Sequence, residues 1–311
     1  MFSFFKNKNK SNEKPDWASI FDNKEYLVFR AELHSYFTKL NVEYKIGDGV
    51  IEIEENIFGG GTLGLTNLIQ FFKQEKAIHY SEFISNHFNS LMSAQKFDDE
   101  FSKIVIDFEK VKKYIAVKLY DEEYVSNVGQ ESTIVENLAG DIYSMLVFDL
   151  PEIVTNVNPD QTSGWNKTKE ELFAIGIKNI KEKYPLLISK EKFGEFNVWF
   201  IQGEHFFTAN IVFELKDRIE LIGSKGSLIA LPHRHAAIIY PIENLETVKA
   251  INGIIPAIYG MNLEGPGSLS SKLFWYKDGH YTELPYKLES GKLQFFPPDN
   301  FVELLNELKA V

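Results

Sequence analysis

The sequence predicts an α+β protein, in which a helical N-terminal region with a β-hairpin precedes a mostly antiparallel sheet flanked by helices. Three observations support this class. Apolar residues recur at helical spacing over much of residues 15–112. Short alternating or continuously apolar segments dominate residues 113–311, and turns containing Gly, Asn and Asp separate many of them. We therefore predict a disordered polar tail over 1–14 and two domains, 15–112 and 113–311.

The N-terminal region begins with an amphipathic helix. Residues 42–46 and 50–54 then alternate with period two around Gly47-Asp48-Gly49, which predicts the hairpin. Helical spacing resumes over 62–75, 80–94 and 98–112. The buried face of the first helix is indicated by apolar residues three or four positions apart: Tyr26, Phe29, Leu33, Tyr36, Phe37 and Leu40.

The second domain combines strands with fewer helices. A capping box of Thr168 and Glu171 marks the clearest helix start in the chain. The order strand, helix, two strands occurs over 142–215 and again over 236–284, which suggests an internal β-α-β-β duplication. Polar or Gly/Ser-rich loops are predicted at 155–166 and 260–271. The predicted strands are 115–120, 142–150, 195–201, 206–215, 228–231, 236–240, 272–276 and 281–284, and the remaining helices are 244–256 and one beginning at Asp299.

Composition excludes several classes of function. The formal net charge of −11 disfavours binding to nucleic acid, since no local basic patch offsets it. The absence of cysteine excludes disulfides, thiolate metal sites and cysteine nucleophiles. No apolar run reaches the ~18 residues of a transmembrane helix, and the N-terminus lacks the features of a signal peptide. We expect a cytoplasmic protein without a cofactor.

A glycine-rich segment, Gly59-Gly60-Gly61-Thr62-Leu63-Gly64, matches the spacing of a dinucleotide-binding loop and is predicted to join a strand to a helix. Its context differs from that of such a loop, because the preceding strand alternates Ile with Glu, as a half-exposed hairpin arm does. A flexible connection to a helix is therefore the simpler interpretation, with phosphate binding as the alternative.

The most unusual chemistry is in Pro232-His233-Arg234-His235, between two apolar runs. In an extended segment the imidazoles of His233 and His235 point the same way and Arg234 points opposite. Such a pair can hold a divalent metal, but a catalytic zinc site uses three protein ligands. The alternative is a strand kink whose polar residues make ordinary hydrogen bonds. The sequence does not place a third ligand nearby, and the candidates are His205, Glu204 and His280.

Residues 226–243, GSLIALPHRHAAIIYPIE, resemble the signature segment of the uncharacterised bacterial YtpQ-like family. The similarity rests on Gly226, the apolar strand to Leu231, Pro232-His233 and the second strand through Tyr240. It extends over about residues 110–290, with fitting strands at 141–150 and 272–279. An acidic residue is common in the family where this chain has His235. The family has no agreed reaction, cofactor or catalytic residues, so the resemblance implies none here.

The functional expectation is a non-catalytic module of regulatory or immunity type that binds another protein. Its basis is the lack of any convergent nucleophile, base and orienting group in the sequence. The alternative is a metal- or phosphate-dependent enzyme with His233, Arg234 and His235 in its site. A concave pocket holding both histidines and a third ligand would favour the enzyme, whereas an open apolar surface patch would favour the binding module.

Overall fold

A computed structural model describes residues 14–65, 68, 69, 72, 79–265, 267–289 and 291–309. The predicted tail over 1–14 lies outside this range except for Lys14. The chain divides into two compact units, Met1–Ile104 with Pro151–Ile153, and Val105–Leu150 with Val154–Val311. The architecture is α+β with antiparallel sheets, as the sequence predicts.

The first unit begins with α1 (Asn23–Leu40). Asp22 accepts a hydrogen bond from the Glu25 backbone N–H at 2.8 Å, and the Glu25 carboxylate accepts one from the Asp22 N–H at 2.9 Å, so both backbone donors at the helix start are satisfied. Asn41 ends the helix in the left-handed conformation at φ 56°. Of the predicted apolar face, all but Leu40 is buried: Tyr26, Phe29, Leu33, Tyr36 and Phe37.

The predicted hairpin is present as β1 (Tyr44–Ile46) and β2 (Val50–Ile53), and Gly49 in its turn has a positive φ of 71°. A third strand, β3 (Thr62–Gly64), pairs with β2. The helix predicted from residue 62 is therefore wrong over 62–64, and the rest of 62–75 lies largely outside the described residues. Of the glycine-rich segment, Gly59–Gly61 precede β3 and Thr62–Gly64 form β3 itself, so these residues are not the loop from a strand to a helix that dinucleotide binding requires.

The helices predicted over 80–94 and 98–112 are a single long helix, α2 (Tyr80–Phe101), followed by the short α3 (Phe108–Val111). No Pro or Gly separates the two predicted segments, so the chain has no reason to leave the helix there. Aromatic rings fill the core of this unit, with Phe72 and Tyr80 centroids 4.6 Å apart and Phe37 and Phe88 centroids 5.0 Å apart.

The second unit contains two larger antiparallel sheets. The smaller one comprises β4 (Ile115–Asp121), β5 (Val135–Ala139), β6 (Ile142–Asp149) and β7 (Val154–Asn156), with β6 pairing to the other three. α4 (Glu122–Val128) follows β4, and α5 (Pro159–Thr162) lies within the predicted loop 155–166.

The predicted capping box begins α6 (Lys169–Lys183), where the Glu171 N–H donates to Thr168 Oγ1 at 3.2 Å. This helix packs on β4 at Gly176. A Cβ added there would lie 2.8 Å from the carbonyl carbon of Ala116, so only glycine permits the close approach.

The six-stranded sheet has the order β13-β12-β10-β11-β9-β8. One face packs against α7 (Glu246–Glu264) and α8 (Asp299–Lys309), and the other against an irregular segment that includes Ile211 and Leu215. Because both faces of β10 and β11 are covered, almost every residue of these strands is buried, and most are apolar. The strands are β8 (Leu187–Phe193), β9 (Phe196–Gln202), β10 (Ser227–His233), β11 (Ala236–Pro241), β12 (Leu273–Lys277) and β13 (His280–Leu284), and a separate hairpin is formed by β14 (Tyr286–Glu289) and β15 (Lys292–Phe295).

The strand predicted over 206–215 is wrong: Thr208–Phe213 and Leu215–Asp217 are 3-10 helices. A short apolar run is compatible with a buried strand or a buried helical turn, and periodicity does not distinguish them. The sequence prediction also missed β8, which is a mostly polar edge strand.

The two stretches of the suggested β-α-β-β duplication do not form equivalent structural units. β6 belongs to the four-stranded sheet, whereas β8 and β9 belong to the six-stranded one. In the second stretch, β11, β12 and β13 all lie in the same sheet. Among the described residues, no helix has the length and apolarity needed to cross a membrane.

Candidate functional site

The Pro-His-Arg-His segment lies at the end of the β10–β11 hairpin. Pro232 and His233 end β10, and Arg234 and His235 form the turn before β11. The strand register shifts between Ala230 and His233, so the hairpin departs from regular pairing where its polar residues begin.

Two neighbouring segments hold this turn by its backbone. The Arg234 N–H donates to Gly267 O at 3.0 Å, and the Leu269 N–H donates to Pro232 O at 3.0 Å. From the other side, the Gly203 N–H donates to His235 O at 3.2 Å. The loop predicted at 260–271 is therefore partly wrong, because α7 extends through its first residues. Its later residues are hydrogen-bonded to the end of β10.

Three histidines line one cleft of about 660 Å³: His205, His233 and His235. No pattern in the sequence places His205 beside the other two, because His205 lies on the loop after β9. Leu187, Phe200 and Met261 contribute apolar surface to the same cleft, and the exposed Glu204 also lines it. His280, the other candidate third ligand, lies on β13 and does not line the cleft.

The hydrogen bonds of His235 identify its protonation state. Its Nδ1 is 3.1 Å from Gly203 O, a pure acceptor, so Nδ1 carries a proton. Its Nε2 accepts a hydrogen bond from Arg234 Nε at 3.1 Å, so Nε2 does not. The ring is therefore neutral, and burial lowers its pKa below the ordinary value.

His233 and His205 are held in the opposite tautomer. His233 Nδ1 accepts from the His235 backbone N–H at 3.3 Å, and His205 Nδ1 accepts from the Phe207 N–H at 3.2 Å. Burial again lowers the pKa of both rings. Each neutral ring then carries its proton on Nε2, and neither Nε2–H has an acceptor within the described part of the chain.

These three rings do not form a metal site. In the described residues, no group of three His, Asp or Glu side chains is placed to hold a metal ion. The Nδ1 atoms are committed to the backbone hydrogen bonds above, and His235 has both ring nitrogens engaged. The structure thus brings the candidates His205, His233 and His235 to one cleft without orienting them toward a common point.

A buried lysine that is not among the candidate residues identified from the sequence adjoins the site. Lys118 on β4 is only 7% exposed, and its Nζ lies 4.5 Å from the ring centroid of Tyr120 and 5.4 Å from that of Phe206. The Arg234 guanidinium carbon lies 4.5 Å from the same Phe206 centroid. Burial, with a smaller contribution from Arg234, lowers the pKa of Lys118 to about 8.

Neither cation is neutralised by an acid. Within the described ranges, Lys118 and Arg234 form no ion pair with a carboxylate. Asp149, the acid that acts on nearby His205, already pairs with Lys183 at 2.5 Å and accepts from the Tyr184 hydroxyl at 3.0 Å. A lysine within the apolar strand Ile115–Tyr120 is a signal that a sequence reading can find.

A second surface feature lies on α7. Residues 245, 248, 252, 256, 259 and 263 follow one another at steps of three and four, so they share one side of the helix. All six are exposed, and all but Asn252 are apolar. We call this surface the α7 face, and its apolar members are Leu245, Val248, Pro256, Tyr259 and Leu263.

Comparison with known proteins gives no match to a family model, to a curated protein or to a solved structure.

Proposed function

We propose that this chain is a non-catalytic, cytoplasmic binding module that recognises another protein through the α7 face. The observation that carries the proposal is the exposure of large apolar side chains along this face, with Tyr259 50% and Leu263 68% exposed. Aligned apolar side chains at helical spacing are how helices dock into grooves of partner proteins. Such a stripe has no role in the chain's own core, since the opposite side of α7 already packs on the six-stranded sheet.

The charges around the face favour a partner with basic groups beside an apolar segment. Glu243 and Glu246 are exposed near its N-terminal end. Lys249 is paired with Glu195 at 3.2 Å, so it adds little positive potential. With a formal net charge of −11, the chain repels nucleic acid and anionic membranes at long range.

The alternative of a metal- or phosphate-dependent enzyme has less support. A metal-dependent reaction would need a ligand set that the three cleft histidines do not form. Among the described residues, no serine or threonine hydroxyl is hydrogen-bonded to a histidine ring, so no such hydroxyl is paired with a histidine base.

A photo-crosslinking amino acid at position 259 tests the proposal in cells that express the full chain. We expect a discrete adduct with a second protein, and we expect Leu263→Glu to abolish it while the protein stays folded. The matched control is the same crosslinker at Lys287, an exposed position on β14. The same adducts from both positions, or an adduct only between two copies of this chain, would contradict the proposal.

We also propose that the chain is a distant member of the YtpQ-like family. The support is the similarity of residues 226–243, which form the two central strands and the turn of the six-stranded sheet. An experimental structure of a family member would test it. We expect the same strand order around the Pro-His turn, and a different order would contradict the kinship.

A further inference from the structure

The space around Phe206 holds two positive charges that come from different parts of the fold. Lys118 lies on β4 of the four-stranded sheet, and Arg234 lies in the turn of the six-stranded sheet. Lys118 Nζ lies 5.4 Å from the Phe206 ring centroid, and Arg234 Cζ lies 4.5 Å from it. The two atoms are therefore no farther apart than the sum of these distances. Like charges at this range repel each other in a partly buried site, so their approach needs compensation.

The aromatic rings supply part of that compensation. A cation over a ring face gains about 0.5–2 kcal/mol, and Phe206 and Tyr120 provide such faces. The rings carry no net charge, however, and Asp149, the carboxylate that acts on His205, is already paired with Lys183. An anion from outside the chain would neutralise Lys118 and Arg234, which the described part of the chain leaves without an acidic partner.

The neighbouring cleft contains neutral hydrogen-bond donors that can also bind an anion. The neutral rings of His205 and His233 each carry a proton on Nε2, as their Nδ1 contacts require. His235 lines the cleft and also contacts both Arg234 and Phe206. Arg234 therefore lies next to a residue of the cleft wall, and Lys118 lies beside the same Phe206 ring. An acceptor-rich anion can therefore meet charged and neutral donors together.

We propose that Lys118 and Arg234 bind the phosphate group of a small phosphate monoester, whose organic part occupies the adjacent cleft. A monoester carries a charge of about −1.5 to −2 and three acceptor oxygens, which matches two cations better than a carboxylate does. The cleft of about 660 Å³ has the size of a small-molecule site, and Leu187, Phe200 and Met261 suit an apolar body. A long polyanion is disfavoured by the net charge of −11.

This site is separate from the α7 face, so each proposal can fail without the other. The test is calorimetric titration of the full-length protein at pH 7 with phenyl phosphate, inorganic phosphate and acetate at matched ionic strength. We expect saturable binding of both phosphates, tighter for phenyl phosphate, and binding of acetate weaker by about tenfold or more, since charge-assisted hydrogen bonds are lost.

Two variants and their controls locate the site. Lys118→Met and Arg234→Gln should each weaken phenyl phosphate binding about tenfold or more, again through one lost charge-assisted contact. Lys287→Met and Arg30→Gln remove cations elsewhere and should leave it unchanged. Lys118→Met replaces a buried charge with an apolar chain of similar length, so folding, followed by circular dichroism, should be retained.

Three results would overturn the proposal. They are the absence of saturable binding of either phosphate to the folded wild-type protein, unchanged affinity in Lys118→Met and Arg234→Gln, and acetate binding as tight as phosphate binding.

Discussion

The guanidinium of Arg234 lies over the ring of Phe206, 4.5 Å from its centroid, and donates through Nε to His235. This contact joins the turn of the β10–β11 hairpin to the loop after β9. Phe206 is 41% exposed beside this contact, although exposure of a phenyl ring to water is unfavourable by itself.

Phe206→Leu tests the strength of that contact. Leucine keeps an apolar side chain but removes the ring face, so we expect the free energy of unfolding to fall by about 0.5–2 kcal/mol. The measurement is urea unfolding at pH 7. Phe296→Leu is the matched control, because Phe296 is also exposed, at 52%. Equal losses in the two variants would show that the cation–ring contact contributes nothing.

The lowered pKa of Lys118 predicts that the stability of the protein depends on pH in the alkaline range. Its pKa in the folded protein is lowered to about 8 from the ordinary 10.5 by burial and by Arg234, so between these values the unfolded state binds more protons. Stability therefore rises with pH in this window, and the penalty of the buried ammonium is fully present below pH 8.

We expect Lys118→Met to be more stable than the wild type at pH 7. The difference in the free energy of unfolding between this variant and the wild type should narrow by up to about 3 kcal/mol as pH rises from 8 to 10.5. Urea unfolding at pH 7, 9 and 10.5 measures it, and Lys287→Met serves as the control. A constant difference across this range would contradict the lowered pKa.

The cleft histidines predict a loss of stability in acid, for the same physical reason: burial disfavours their charged form. Burial lowers the pKa values of His205, His233 and His235 below 6.5, so on acidification the unfolded state takes up protons first. Stability is fully present above pH 6.5 and falls as pH drops from there toward the folded-state pKa values.

We expect His233→Gln to lose less stability than the wild type between pH 7 and pH 5.5, since one such group is removed. His280→Gln, at an exposed position on β13, should behave as the wild type does. Chemical unfolding at both pH values decides this. A pH dependence of His233→Gln identical to that of the wild type would be evidence against the effect.

Two helical glycines give a paired test of packing. In Gly176→Ala on α6, the new methyl group would lie 2.8 Å from the Ala116 backbone, and we expect a loss of about 1–3 kcal/mol. At Gly260 on α7, a Cβ would meet no atom of the described residues within 4 Å beyond the local helix backbone and the two neighbouring residues, so Gly260→Ala should stabilise by up to about 1 kcal/mol. Thermal unfolding of both variants measures the contrast, and a gain in Gly176→Ala would refute the close packing of α6 on β4.

The sequence predicted best those elements whose signals are local. The start of α6 follows from Thr168 and Glu171, which cap the same helix turn, and the buried face of α1 follows from its spacing. Residues 206–215 were misassigned, because a buried apolar run is compatible with a strand or a 3-10 helix until its neighbours are known. β8 was missed because an edge strand needs few apolar residues.

The residues of the candidate site likewise divide into those with a local sequence signal and those without one. His233, Arg234 and His235 are identifiable from the sequence, since charged and ring nitrogens interrupt two apolar runs. Lys118, Phe206 and His205 lie on other strands and loops. They are far from residues 233–235 along the chain, so no local sequence pattern indicates that they lie nearby in the fold.

The sequence by itself determined the α+β class, the main amphipathic helices, the first hairpin and the unusual turn, because each depends on residues within a few positions of one another. Only the tertiary structure decided that two sheets would bring Lys118 and Arg234 to one phenyl ring. It also decided that three imidazoles would share a cleft without converging on one point. The physical reason is that distance and orientation between remote side chains are set by how whole sheets pack, and local sequence preferences do not encode that packing.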